Sequence, residues 1–184
     1  MTTIRKFCCN DLLEITPILM DQYNEHHKSA DTRTLSWYMS TIAIWSKYFL
    51  VAEAPGNRIM GFNVAKVGGN DLSKCCQIAH VAPYIRYYRS ADLVKMFVEN
   101  IEVTADKIDK VFYLEMLVRS ANNQKINLFE RLGFVCYDQG EDRLSLQKHL
   151  PRLTEYQAHM TNLVQQKLQQ PEASNTGPSV PPST

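Results

Sequence analysis

The chain has 184 residues, 45% of them apolar and 21% charged, with a formal charge of +1. That length and balance suit one domain with a buried core plus a tail, and the near-neutral charge excludes a global field that would draw the chain to nucleic acid or to an anionic membrane. Cys8, Cys9, Cys75, Cys76 and Cys136 form an odd set with two adjacent pairs and no C-x-x-C, which argues against a disulfide framework or a zinc site and for reduced thiols in a cytosolic or nuclear protein. No apolar run has the length of a signal peptide core or a membrane span.

Thr2 to Phe7 reads as an edge strand. Asn10 is a helix N-cap, followed by Leu12, Leu13, Ile15 and Leu19 on one face, and this helix is expected to fade near Met20. Asp21 to Thr34 is polar and reads as a long loop, and Leu35 to Trp45 regains helical spacing through Trp37, Tyr38 and Ile42. Tyr48 to Ala54 and Ile59 to Val67 form a hairpin around Pro55-Gly56-Asn57.

Cys75 to Val81 is the next strand, and Ser90 to about Ala105 is a helix with Leu93, Phe97 and Ile101 on its buried stripe. The basic turn between them places free backbone N–H groups at a helix start, which is an anion site by geometry and dipole. Val111 to Val118 is apolar on both faces except at Tyr113 and Glu115, so it is expected to be central. Asn123 to Leu132 is a short helix ended by Gly133, and Phe134 to Tyr137 pairs with Arg143 to Gln147. From Pro151 the composition changes. Leu153 to Leu168 carries a narrow apolar seam that reads either as a partner-docking helix or as a frayed tail helix, and the chain beyond Gln170 reads as disordered. The domain is therefore placed at 1–150 and the tail at 151–184. Mixed strands with helices on both faces give an α/β sandwich.

Several stretches carry a family resemblance. They are Met1-Thr2-Thr3-Ile4-Arg5, the hairpin segment Tyr48 to Gly56, Met60-Gly61-Phe62, Val81-Ala82-Pro83, Val118-Arg119, Asn122, Asn127 and Leu132-Gly133-Phe134. In these and in its element order the chain resembles the GNAT acetyltransferases, and among them the catalytic subunits of the NatB N-terminal acetyltransferase, over roughly Met1 to Leu150. The resemblance implies a GNAT fold and acetyl transfer from acetyl-CoA to the α-amine of nascent chains beginning Met-Asp, Met-Glu, Met-Asn or Met-Gln. It also implies a helical-repeat auxiliary subunit, ribosome association and a cytoplasmic location, with no direct nucleic-acid or membrane contact and no metal. By the same resemblance Ala79, Val81 and Ala82 offer backbone groups to the pantetheine arm. Arg86, Arg89, Ser90 and Ala91 hold the pyrophosphate, Asn122 and Phe129 lie near the thioester, and Asp31, Arg33 and Tyr137 face the acceptor peptide.

The chain departs from the family pattern at identifiable positions. Arg89 stands where the pyrophosphate turn has Gly, and its side chain either plugs the pocket or pairs with phosphate. Asp92 in the first helical turn repels an anion from the same N–H groups. Arg33 replaces a substrate-contacting Tyr, Phe129 replaces a Tyr near the sulfur, and the loop before the last strand is reduced to Tyr137 to Asp142.

His80 and Glu115 are the candidates for moving the proton. The competing readings are a structural histidine at a strand end and a buried carboxylate paired with Arg119 or Arg86. Tyr84, Tyr87 and Tyr88 line a groove or pack over the turn, His26 and His27 are ascribed to loop polarity, and strand alternation puts one of Cys75 and Cys76 inside. Two functions follow: an N-terminal acetyltransferase of NatB type, or a catalytically impaired paralogue that keeps the fold and acts as a binding or competing subunit.

Overall fold

The computed structural model describes residues 2–25, 40, 43–70, 73–83, 90–153, 156–157 and 160–162, with the side chains of 19–25 left aside. The chain divides into two units, Met1–Leu153 and Thr154–Thr184. In the second, described residues are helical, and Thr161 Oγ1 donates to the Gln157 carbonyl at 2.9 Å. Most of the Leu153 to Leu168 seam lies outside the described residues.

The first unit is built on a seven-stranded sheet. Its strands are β1 (Thr3–Lys6), β2 (Phe49–Ala54), β3 (Arg58–Gly68), β4 (Cys75–Pro83), β5 (Tyr113–Arg119), β6 (Val135–Gln139) and β7 (Arg143–His149). Their order across the sheet is β1-β2-β3-β4-β5-β7-β6. Every neighbouring pair is antiparallel except β4 and β5, which run parallel. The helices are α1 (Asp11–Glu25), α2 (Ser90–Thr104) and α3 (Asn123–Arg131).

Strand alternation divides the core between two faces. On one face Phe49, Val51, Phe62, Val64 and Ala82 pack with Ile15 and Ile18 of α1. On the other, Leu50, Ala52, Met60, Cys76, Ile78 and Val81 pack with Leu93, Val94, Phe97, Val98 and Ile101 of α2 and with Phe129 of α3. Each fully buried side chain of this kind contributes about 1.5–3 kcal/mol. The hairpin turn before β3 is made by Gly56 at φ +84° and Asn57 at φ +59°, two residue types that tolerate the left-handed region.

Two expectations are corrected. Helix α1 runs on to Glu25 rather than fading near Met20, because a helix already nucleated extends through polar residues that carry no apolar periodicity. Strand β4 continues to Pro83, two residues beyond the expected end. Helix α2 ends at Thr104 and passes into a π turn, Ala105–Asp109. Strand β5 is interior, as expected, with Leu114, Met116 and Val118 buried on one face and Leu117 47% exposed on the other. The expected loop beyond Glu25 and most of the Leu35 to Trp45 helix lie outside the described residues, with 40 and 43–45 helical.

An ion cluster ties β1 to α1. Arg5 binds both oxygens of Asp11, at 2.7 and 2.8 Å, and also reaches Glu53 on β2. Burial alone would push the Asp11 carboxyl up, but the bonds from Arg5 and from the Cys8 N–H outweigh it and hold the group below its ordinary value.

Candidate active site

The parallel ladder between β4 and β5 has three rungs: Cys75 with Tyr113, Cys76 with Leu114 and Gln77 with Glu115. Among the described residues no rung follows, although β4 continues to Pro83 and β5 to Arg119. The two strands part at Gln77 and Glu115. Beyond that point β4 stays paired with β3 as far as Pro83, and β5 with β7 as far as Arg119. Two well-supported strands therefore face each other across an opening within one sheet. An extended, hydrogen-bonding ligand can occupy such an opening as an additional strand would.

A bulge decides what faces the opening. In the β3–β4 ladder Val64 pairs with His80 and Ala65 with Ile78, so β4 carries one extra residue, Ala79. Before it, Cys76 and Ile78 point to the α2 side. After it, Val81 points to the α2 side and Ala82 to the α1 side. The extra residue turns His80 to the α1 side, where its ring lies 5.1 Å from Phe62 and its Nε2 is shielded from solvent. A regular strand would have aimed His80 with Ile78 into the α2 core. Gly61 allows the end of β4 to come close: a Cβ there would lie 2.8 Å from the Ala82 carbonyl oxygen and 3.0 Å from the Pro83 Cα.

Glu115 occupies the last rung, on the same α1 side. Its Oε1 accepts from Ser145 Oγ at 3.0 Å and its Oε2 from Gln77 Nε2 at 3.4 Å. This corrects the expected pairing with Arg119, since residues four apart on a strand are about 13 Å apart. Arg86 lies outside the described residues. One rung back, burial pushes the Tyr113 hydroxyl up to about 12, with the fields of Cys75 and Glu115 adding to it. Burial also raises the Cys75 thiol above its ordinary value, so this half-buried cysteine is a neutral thiol beside Tyr113 rather than a nucleophile. Cys76 is wholly buried, as alternation requires.

The remaining expected positions divide. Ala79, Val81 and Ala82 line the β4 side of the opening, and Ser90 and Ala91 begin α2. Asn122 caps α3, its Oδ1 accepting from the Lys125 N–H at 3.0 Å, which leaves its amide Nδ2 as the donor for a ligand. Phe129 does not line the opening: it is 1% exposed and packs edge-on against Phe134, with ring centroids 5.1 Å apart. Tyr137 is 71% exposed on the edge strand β6. Asp31, Arg33, Arg86 and Arg89, together with His26, His27, Tyr84, Tyr87 and Tyr88, lie outside the described residues. The partners of Glu115 that sequence reasoning missed are Gln77 and Ser145. Only the strand register brings them to Glu115, and no local pattern announces it.

A separate cavity of about 320 Å³, lined by Ile4, Arg5, Lys6, Lys47, Leu50 and Asn100 among others, lies toward the C-terminal half of α2 and contains none of these residues. No group of three or more His, Cys, Asp or Glu among the described residues is placed to hold a metal, and no described helix is long and apolar enough to cross a membrane.

No protein-family model matches the chain. The chain is 38% identical over 159 residues to the N-terminal acetyltransferase B complex catalytic subunit NAA20 of Arabidopsis thaliana, covering 83% of this chain and 87% of the relative. It belongs to the NAA20 family of NatB catalytic subunits. N-alpha-acetyltransferase 20 of Dictyostelium discoideum is 28% identical over 161 residues, covering 83% of this chain and 88% of that one. The NAA20 fold recurs in the crystal structure of Chaetomium thermophilum Naa20 in complex with a bisubstrate analogue, with a TM-score of 0.69 at 21% identity over 83% of this chain and 89% of that one. The parting of β4 from β5 and the bulge at Ala79 thus sit in a GNAT acetyltransferase fold.

Proposed function

We propose that the chain is the catalytic subunit of an N-terminal acetyltransferase, moving acetyl from acetyl-CoA to the α-amine of polypeptides that begin Met-Asp, Met-Glu, Met-Asn or Met-Gln. The observation that carries this reading is the opening beyond Gln77 and Glu115, in a chain of the NAA20 family. In this reading 1–150 is the acyltransferase domain and 151–184 an appendage to it.

The residues present fit such a cosubstrate. The β4 edge from Ala79 to Ala82 binds the pantetheine arm through its backbone, Asn122 Nδ2 donates near the thioester, and the N–H groups of Ser90 and Ala91 at the start of α2 meet the pyrophosphate. Arg86 and Arg89 supply cations there. Acetyl-CoA supplies an activated acyl group. The chain has to position the acceptor and remove a proton. The α-amine has a reference pKa of about 8, so its neutral form is accessible. The amine nitrogen forms the new bond to the acyl carbon, the bond to sulfur breaks, and the proton lost from nitrogen balances the departing thiolate. His80 and Glu115, on one side of the sheet at the opening, are the groups assigned to that proton.

Leu13 on α1 and Ile44 in the segment before β2, 81% and 66% exposed, are apolar side chains suited to a helical-repeat auxiliary subunit. In this reading the enzyme acts on nascent chains in the cytoplasm, at the ribosome. The test is calorimetric titration with acetyl-CoA, with and without the auxiliary subunit, followed by mass analysis of peptides beginning Met-Asp and Met-Glu. Saturable binding and a mass gain of one acetyl group are expected. No heat and no thermal shift at millimolar ligand would overturn the reading, and binding without transfer would make the chain a competing subunit.

A further inference from the structure

Resting on the acetyltransferase reading, we infer that Glu115, held by Ser145 and Gln77 where β4 parts from β5, is the group that docks the acceptor's α-ammonium. The register places Lys66, Gln77, Glu115 and Gln147 opposite one another on β3, β4, β5 and β7, in a polar row across the α1 side of the sheet. Glu115 is the carboxylate of that row, and the row is the last before the opening.

Two features make this carboxylate a receptor for a cation. Each of its oxygens accepts one bond from a neutral donor, Ser145 Oγ at 3.0 Å and Gln77 Nε2 at 3.4 Å. These bonds fix the plane of the group and leave each oxygen with further acceptor capacity. Its charge also has no ion-pair partner among the described residues. The cation of the row, Lys66, is two strands away, roughly 10 Å at the usual strand spacing, and its ammonium lies over the Trp45 ring, 5.9 Å from the centroid. Arg119, on the strand of Glu115 itself, is four residues along. A half-buried carboxylate held by neutral donors gains most from a cationic hydrogen-bond donor. An α-ammonium brings one charge and three donors. Gln77 and Gln147, the row's neighbours of Glu115, offer amides rather than further carboxylates, which suits a monocation better than a divalent metal.

The experiment uses the full chain, saturated with CoA, and measures calorimetric binding of a seven-residue peptide beginning Met-Asp against the same peptide with its α-amine acetylated. The wild-type chain is expected to prefer the free amine by roughly tenfold or more, the worth of a charge-assisted bond. Glu115→Gln is expected to reduce that preference to within about twofold and Ser145→Ala to lower it by a few-fold. Both are expected to keep the wild-type affinity for CoA and the wild-type melting temperature. If Glu115→Gln is less stable than wild type, the Ser145→Ala arm carries the test. A Glu115→Gln or Ser145→Ala chain that binds CoA normally and retains the full preference for the free amine overturns the assignment while sparing the acetyltransferase reading. A wild-type chain that binds neither CoA nor peptide overturns both.

Discussion

Ser145 and Glu115 are bonded diagonally. Glu115 pairs with Gln147 in the β5–β7 ladder and Ser145 pairs with Leu117, yet Ser145 Oγ reaches Glu115 Oε1 at 3.0 Å. A side chain on one strand thereby sets the orientation of a carboxylate on the next, at the point where the sheet opens. In an acetylation assay with a Met-Asp peptide, Ser145→Ala is expected to raise the acceptor KM several-fold, the loss of about 1 kcal/mol of orienting hydrogen bond, with kcat changed less. Steady-state kinetics at saturating acetyl-CoA measures the split.

The extra residue in β4 has a sharper consequence. Removing Ala79 restores regular alternation from Ile78 onward and keeps His80 on the α1 side and Val81 on the α2 side, the faces they already hold. What the deletion removes is the bulge itself, with its local twist and the extra backbone groups at the opening. The deletion is expected to cost only about 1 kcal/mol of stability, because the core pattern is kept, and to weaken acetyl-CoA binding, because the edge of β4 at the opening changes. Urea unfolding and calorimetry give the two readings.

Gly61 is required by space rather than by its torsion angles. A Cβ would meet the Ala82 carbonyl oxygen at 2.8 Å and the Pro83 Cα at 3.0 Å, both of them backbone atoms that cannot swing aside. Gly61→Ala is expected to destabilise the chain by about 1–3 kcal/mol and to weaken acetyl-CoA binding, because the strand that shifts is the one lining the opening. Thermal melts with and without ligand test this.

Stability in acid is expected to depend on two depressed carboxylates. Burial would raise Asp11 and Asp109, but bonds from Arg5 and the Cys8 N–H in the first case, and from Lys47 and Tyr48 in the second, hold both below their ordinary value of 3.8. A group depressed in the folded chain contributes stability that is complete above its unfolded value and is lost as pH falls through its folded value. Unfolding free energy should therefore be flat in these groups at neutral pH and fall once the pH drops below about 4. Asp109→Asn is expected to lose stability at pH 7 while flattening that acid limb. Denaturation midpoints between pH 7 and pH 2.5 measure the slope.

Much of the fold was legible because it follows from local chemistry. The hairpin around Gly56 and Asn57 is written in residues that accept positive φ, and α2 in the spacing of Leu93, Phe97 and Ile101. Gly133 ends α3 at φ +89° as its position implies. The readings that went astray concern longer range. Helix α1 ends beyond its expected place because Asp21 to Glu25 has no apolar period to announce it. Leu117, 47% exposed, lies past the last rung with β4, a placement that only the register gives. The resemblance puts Phe129 near the cofactor, yet the side chain turns into the core against Phe134, a choice set by packing of α3.

By itself the sequence determined the strands, the helices, the turn residues and, through the NAA20 resemblance, the class of chemistry, since each depends on residues close together in the chain or on shared motifs. Tertiary structure alone decided that Glu115 meets Ser145 and Gln77, that β4 and β5 part after three rungs, and that one extra residue at Ala79 brings His80 to the side of Glu115. The reason is the period of two in a strand: a single residue of register moves a side chain through the sheet, and register is set by the neighbouring strands.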